Sequence, residues 1–445
     1  MSTKPLTRLS RLFFGLLLWA IHSSGMASGQ TLSIVDTVCD VDFGACSAGV
    51  QGLRGVRSVV VSPDNAHVYG VSSLDDALLA FSRSVSTGEL TLLQSLFDSD
   101  AGVDGLDSAR GVAISPDGKH VYVAALLDAS LAVFSRNAGS GMLSFVEVER
   151  DGFSGVDGLA GAHGVAVSPD GAHVYVASRS DHAVAVFQRD PATGAVTYLE
   201  SHVDNMVGVD GLDNAEALSV SPDGKHVYVA SEGDSAVAVF ARETSAVAAN
   251  FGRLSFVEAR FDGVGGVDGL AGAGAVALDP SGRHVYVAAE RGSLGGIAGD
   301  DWGAVFSRNA ATGRLTFVQG FDESDFGTAT TGIFAFCTGV GNENSGVAVS
   351  PDGNFVYYTN PYFGTVASFT RHPVTGGLNL AASICDLNFG TDGLAGALGI
   401  TISPDGRHIL TASSAFETVA VLSDSGIFFD GFESADLLIW TSAQP

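Results

Sequence analysis

The sequence predicts an all-β chain folded as a seven-bladed β-propeller, with four antiparallel strands per blade and an N-terminal strand closing the last blade. Three observations predict it. One string recurs seven times, each copy holds four short strand patterns, and the two ends of the array complement each other.

The string SPDNAHVYG begins at Ser62 and returns as SPDGKHVYVA at Ser115, SPDGAHVYVA at Ser168 and SPDGKHVYVA at Ser221. It continues as DPSGRHVYVA at Asp279, SPDGNFVYYT at Ser350 and SPDGRHILTA at Ser403. Copies start 53 residues apart, except for intervals of 58 and 71 that carry insertions. Such a period marks a repeat architecture, in which each unit buries its apolar faces against its neighbours.

The third copy shows the elements in order. GVAVS (164–168) is an apolar strand, and Pro169-Asp170-Gly171 is a tight turn in which Pro presets φ and Gly closes the bend. HVYVAS (173–178) and AVAVFQR (183–189) are the second and third strands, and DPATG (190–194) turns into VTYLESHV (196–203), the fourth. β-branched and aromatic residues dominate these short runs. One such sheet cannot cover both its faces, whereas seven arranged radially cover each other. The last repeat, from Leu398 to Ser423, supplies only three strands, and TLSIVDTVCD (31–40) has the pattern of a fourth. Pairing the two removes the exposed sheet edges.

Composition narrows the function classes. The 445 residues carry 22 Lys and Arg against 49 Asp and Glu, a net charge of −27, which argues against nucleic acid and anionic membranes as partners. Hydrophobic residues make up 46%, so the chain is not disordered. Lys4, Arg8 and Arg11 precede an apolar run from Leu12 to Ile21, and small residues follow at Gly25, Ala27 and Ser28. That is the order of a secretory signal, and the run is too short to span a bilayer at about 20 residues per helix. The expected domains are therefore a signal peptide (1–28), the propeller (29–423) and a C-terminal tail (424–445). Export to the periplasm or beyond is expected, as a monomer with no transmembrane segment in the mature chain.

The succession SPDGKHVYVAS, a strand of the AVAVF type and a TGxLTF turn and strand resembles the lactonase-type seven-bladed propeller family and the related YVTN repeats. The resemblance covers about residues 31–423. It implies the propeller fold and a site related to those of 6-phosphogluconolactonases and muconate-cycloisomerising enzymes. Of the family's pHxHxV stretch, Gly161-Ala162-His163-Gly164-Val165 keeps the second His. Asn214-Ala215-Glu216-Ala217 replaces a PRH stretch, and Ser178-Arg179-Ser180-Asp181 replaces DLGxD. These departures, with the net charge, point away from a sugar phosphate as substrate. The tail IFFDGFESADLLIW (427–440) resembles a short ending found on exported proteins of some proteobacteria.

Propeller ligands sit at the channel mouth, where innermost strands begin. The residue just before each innermost strand reads Arg57, Arg110, His163, Glu216, Gly274, Ser345 and Leu398 from blade one to blade seven. Four consecutive blades thus place ionisable groups on one arc. Arg57 and Arg110 suit a carboxylate or oxyanion, and His163 and Glu216 suit base and acid on a lactone or ester. The alternative is an Arg–Glu girdle that merely closes the mouth. The insertions at 290–302 and 322–345 belong by connectivity to the same face, where Trp302, Phe334 and Phe336 either cover a ligand or pack their own loops. The expected function is ligand or partner binding, of a small molecule or a protein, at this mouth; the alternative is lactone or ester hydrolysis by His163, Glu216, Arg110 and Arg57.

Two further patterns recur. The loops entering innermost strands pair Asp98 with Asp104, Asp151 with Asp157, Asp204 with Asp210, Asp262 with Asp268 and Asp386 with Asp392. Asp capping turn amides explains them. Ca²⁺ is the alternative, although two carboxylates fall short of its six to eight ligands, and no other cofactor is implied. His67, His120, His173, His226, His284 and His408 follow the SPDG turns on the opposite face, held too far apart for one metal. Four cysteines in an exported chain suggest two disulfides, and their placement favours Cys39–Cys46 and Cys337–Cys385.

Overall fold

The computed structural model describes residues 32–41, 49–289, 301–322, 346–361, 364–385 and 393–424. Residues 1–31 and 425–445, and most of both long insertions, lie outside these residues. Among the described residues no helix is long and apolar enough to cross a membrane.

The strands form seven sheets, each antiparallel from its innermost to its fourth strand. The innermost strands, in blade order, are Val56–Val61, Ala109–Ile114, Ala162–Val167, Ala215–Val220, Ala273–Leu278, Val347–Val349 and Ala397–Ile402. The ring closes as the sequence predicts. Leu32–Asp40 lies antiparallel to Thr418–Asp424, paired from Leu32 opposite Asp424 to Cys39 opposite Thr418 with one register shift between Ile34 and Asp36. A two-residue strand, Gly49–Val50, pairs in parallel with Cys39–Asp40 and makes blade seven five-stranded. Two residues are too few to show an alternation, so this strand left no trace in the sequence.

Closure goes beyond strand pairing. In successive outermost strands a side-chain oxygen accepts the first backbone N–H of the next blade's outermost strand. Gln94 takes that of Leu143 at 2.8 Å, Glu147 that of Val196 at 2.6 Å, and Glu200 that of Leu254 at 2.8 Å. Asp36, on the N-terminal strand, takes the N–H of Leu90 at 2.7 Å. The first segment of the chain therefore behaves as a true fourth strand toward blade one as well as blade seven.

The core lies between blades rather than within a single shared centre. The second strands, such as His173–Ser178, are buried at every residue except in blade six, where both ends of Phe355–Asn360 are half-buried. Tyr122 and Val133 of blade two pack with Val174 and Phe187 of blade three. Each such side chain contributes about 1.5–3 kcal/mol when fully buried.

On the face away from the mouth a polar clasp joins neighbouring blades. Arg136, at the end of blade two's third strand, donates from Nε to Tyr69 Oη at 2.7 Å, from Nη2 to both Asp64 carboxylate oxygens and from Nη2 to His67 Nδ1 at 2.7 Å. Tyr69 in turn donates to the carbonyl of Gly141. Arg189, Arg242, Arg308 and Arg371 likewise each bond a tyrosine, a histidine and an aspartate of the preceding blade. The recurring histidines are thus structural, each an acceptor for the next blade's arginine. Between blades six and seven the clasp changes: Phe355 stands in the histidine's place, and Tyr357 donates to Asp424 at 3.0 Å.

Candidate active site

Arg57, Arg110, His163 and Glu216 do come together, lining one cavity of about 730 Å³ at the channel mouth. One detail of the expectation is corrected. These residues do not precede the innermost strands; each is the second residue of its strand and the extra residue of a β-bulge. The register slips between Val56 and Ser58, Ala109 and Gly111, Ala162 and Gly164, and Ala215 and Ala217. A bulge re-aims its extra side chain, here into the channel. Gly274 and Leu398 occupy the same bulged place in blades five and seven, and both line the cavity. Ser345, the blade-six counterpart, lies outside the described residues.

The following glycines explain why the bulges fit so tightly. A Cβ on Gly164 would stand 2.5 Å from the Glu216 carbonyl oxygen, and one on Gly111 would stand 2.3 Å from that of His163. Neighbouring inner strands approach backbone to backbone, and this brings adjacent bulged residues into contact.

His163 Nδ1 lies 3.0 Å from the Glu216 carbonyl oxygen. A carbonyl only accepts, so Nδ1 carries the proton and Nε2 keeps its lone pair. Nε2 is 3.9 Å from Glu216 Oε2, too far for a hydrogen bond and close enough for one reacting group to touch both. Burial, with the charges of Arg110, Arg179 and Arg57, pulls the imidazole down to about 3. Burial pushes the Glu216 carboxyl up to about 8, with Glu232 adding to the rise while Arg179 and Arg110 oppose it. At neutral pH the site therefore holds a neutral imidazole and a predominantly protonated carboxyl.

Two residues of the site were missed. Arg179 and Glu232 each follow the second strand of their blade, in blades three and four, and both line the cavity. Arg179 places Nη1 2.9 Å from Glu216 Oε1 and bonds Glu232 through Nη2. The signal was available, since the residue after each second strand sits beside the bulged position. Ser73 fills that place in blade one and accepts from Arg57 Nε at 3.2 Å.

The family described as "Lactonase, 7-bladed beta-propeller" matches residues 45–209 and 217–325, more than half of the chain. The chain belongs to this family. A 6-phosphogluconolactonase of Pectobacterium carotovorum is 25% identical over 175 residues, covering 39% of this chain and 51% of that protein. One of Bacillus subtilis is 30% identical over 152 residues, covering 34% and 41%. The chain thus matches about half the length of these relatives or less. The solved periplasmic gluconolactonase of Pseudomonas aeruginosa shares the fold, at a TM-score of 0.55 and 22% identity over 76% of this chain and 86% of that one.

The side chain of Trp302 and all of Phe334 and Phe336 lie outside the described residues. So do Cys46, Cys337 and the side chain of Cys385; Cys39 is buried and disulfide-bonded. Asp386 and Asp392 lie outside the described residues, and the other Asp pairs do cap amides, as where Asp98 accepts from Leu106 N, Asp151 from Leu159 N and Asp204 from Leu212 N. Each of these three pairs gains a third carboxylate, from Asp128, Asp181 and Asp234 respectively, with oxygens within 4.8 Å of one another.

Proposed function

We propose that this protein hydrolyses a lactone at the channel mouth. The observation that carries the reading is the His163–Glu216 pair, with Nε2 and Oε2 3.9 Å apart in one cavity where burial favours the neutral form of both. In this reading His163 Nε2 takes a proton from water as its oxygen bonds the lactone carbonyl carbon. The carbonyl becomes an oxyanion, which Arg57 and Arg110 stabilise. The ring C–O bond then breaks, and Glu216 hands its proton to the leaving alkoxide. Arg179 and Glu232 act as positioning residues that fix the Glu216 carboxyl. The products are a hydroxy acid and a deprotonated Glu216, which recovers its proton from the imidazolium.

Membership of the lactonase family supports the chemistry, and the basic order at the N-terminus supports work outside the cytoplasm. The same arginines serve the competing reading, binding of an anionic ligand or partner without turnover. The placement of Arg57 and Arg110 on adjacent blades of one cavity favours it. A panel of γ- and δ-lactones with wild type and His163→Ala separates the two. Turnover that falls at least a hundredfold in the variant fits the hydrolase. Binding without turnover in the wild type refutes it.

A further inference from the structure

The cavity wall is split by chemistry. Blades one to four supply every ionisable group among the described lining residues, Arg57, Arg110, His163, Arg179, Glu216 and Glu232, beside apolar residues such as Val59 and Leu218. Blades five to seven supply Gly274, Ala275, Gly346, Val347, Leu398 and Ile400, and among their described lining residues only Thr401 has a polar side chain. The split follows from the bulged positions themselves. Where blades two to four put Arg, His and Glu, blade five puts Gly and blade seven puts Leu. The glycine leaves room, and the leucine leaves an apolar wall.

A ligand for this cavity has one charged or strongly polar end and one end that asks for no hydrogen bonds. A lactone ring with its carbonyl on the arginine arc leaves most of about 730 Å³ unfilled, because sites of this size hold drug-sized ligands. Among the described lining residues of blades five to seven, a polyhydroxylated or phosphorylated substituent would lose its water with only Thr401 as a side-chain partner, which is costly. An alkyl or aryl substituent would gain from the same burial.

We infer that the site is built for an amphipathic lactone, its carbonyl on the arginine arc of blades one to four and an apolar substituent along Gly274, Val347, Leu398 and Ile400. The inference deepens the hydrolase reading and rests on it for the word lactone. The division of the cavity stands without it.

Calorimetric titration of straight-chain carboxylates tests the division without needing turnover. Butyrate, hexanoate and octanoate imitate the carboxylate of an opened lactone. Affinity is expected to rise about fourfold per added methylene, and gluconate and 6-phosphogluconate to bind more weakly than octanoate. A flat series, or gluconate or its phosphate binding tightest, overturns the inference. Leu398→Asp is expected to abolish the rise with chain length, and Leu398→Asn to weaken it if the aspartate variant does not fold. An unchanged slope in folded variants places the chains elsewhere and overturns the assignment. A wild type that binds alkanoates with the expected slope but opens no lactone refutes the hydrolase and supports the divided cavity. One that opens glucono-δ-lactone faster than alkyl lactones supports the hydrolase and overturns this inference.

Discussion

Arg179 Nη1 lies 2.9 Å from Glu216 Oε1, across the boundary between blades three and four. The contact joins two different repeat positions, a bulged inner-strand residue and the residue after a second strand. Glu216 is only 1% exposed, and burial outweighs the guanidinium in setting its protonation. The pairing therefore orients a carboxyl that keeps its proton at neutral pH.

The pH–rate profile of lactone opening follows from that. The base needs neutral His163 and the acid needs protonated Glu216. With the imidazole at about 3 and the carboxyl at about 8, turnover is expected to stay level through the neutral range and fall above pH 8. In Glu216→Gln the alkaline limb disappears, and the plateau drops by about 10²–10⁴. A limb near 8 that survives this substitution assigns the acid to another group.

Arg110 stands beside both proton-transfer groups and lowers the pKa of each. If it holds the oxyanion, it acts mainly in the transition state. Arg110→Ala is then expected to lower kcat by about 10²–10³ and change KM much less. A rise in KM with kcat intact assigns it to ground-state binding instead.

The repeat made the fold legible because one period carries both the strand alternation and the turn chemistry. Asp36 could be placed on a fourth strand because the last copy lacked one. The arc of Arg57, Arg110, His163 and Glu216 was legible for the same reason, since equivalent positions of a repeat share one place in the ring. What escaped was contact between non-equivalent positions. Arg179 and Glu232 sit one strand further along the blade, and only the bulges bring them beside Glu216. Gly49–Val50 escaped because two residues carry no period.

The carboxylate triads are expected to be capping groups rather than Ca²⁺ ligands. In blade two, Asp98 accepts Leu106 N, Asp128 accepts Asp107 N, and Asp104 bonds Arg150 through both carboxylate oxygens. The melting temperatures in EDTA and in millimolar CaCl₂ are therefore expected to agree within about 1 °C. A rise of several degrees with Ca²⁺ would show that the clustered charges bind the ion.

Acid should loosen the ring in two stages, and the clasps explain why. Burial and the neighbouring arginine lower His67, His120, His284 and His408, and bring His173 and His226 to about 4. A histidine lowered in the folded state binds its proton more readily when unfolded, so stability falls as pH drops from about 6.5 toward 4. Asp64 and Asp117 behave differently. Burial raises them, but hydrogen bonds from Ser62 or Ser115 and from the clasp arginine prevail, leaving each at about 2. Their contribution is complete above the ordinary carboxylate range and is lost as pH falls through about 2. The melting temperature is thus expected to decline from pH 7 to pH 4 and to decline further below that. His173→Asn keeps an acceptor for Arg242 but does not titrate, so the variant should show a shallower first stage. An equal slope in wild type and variant between pH 7 and pH 4 would mean that the clasp histidines do not govern acid stability.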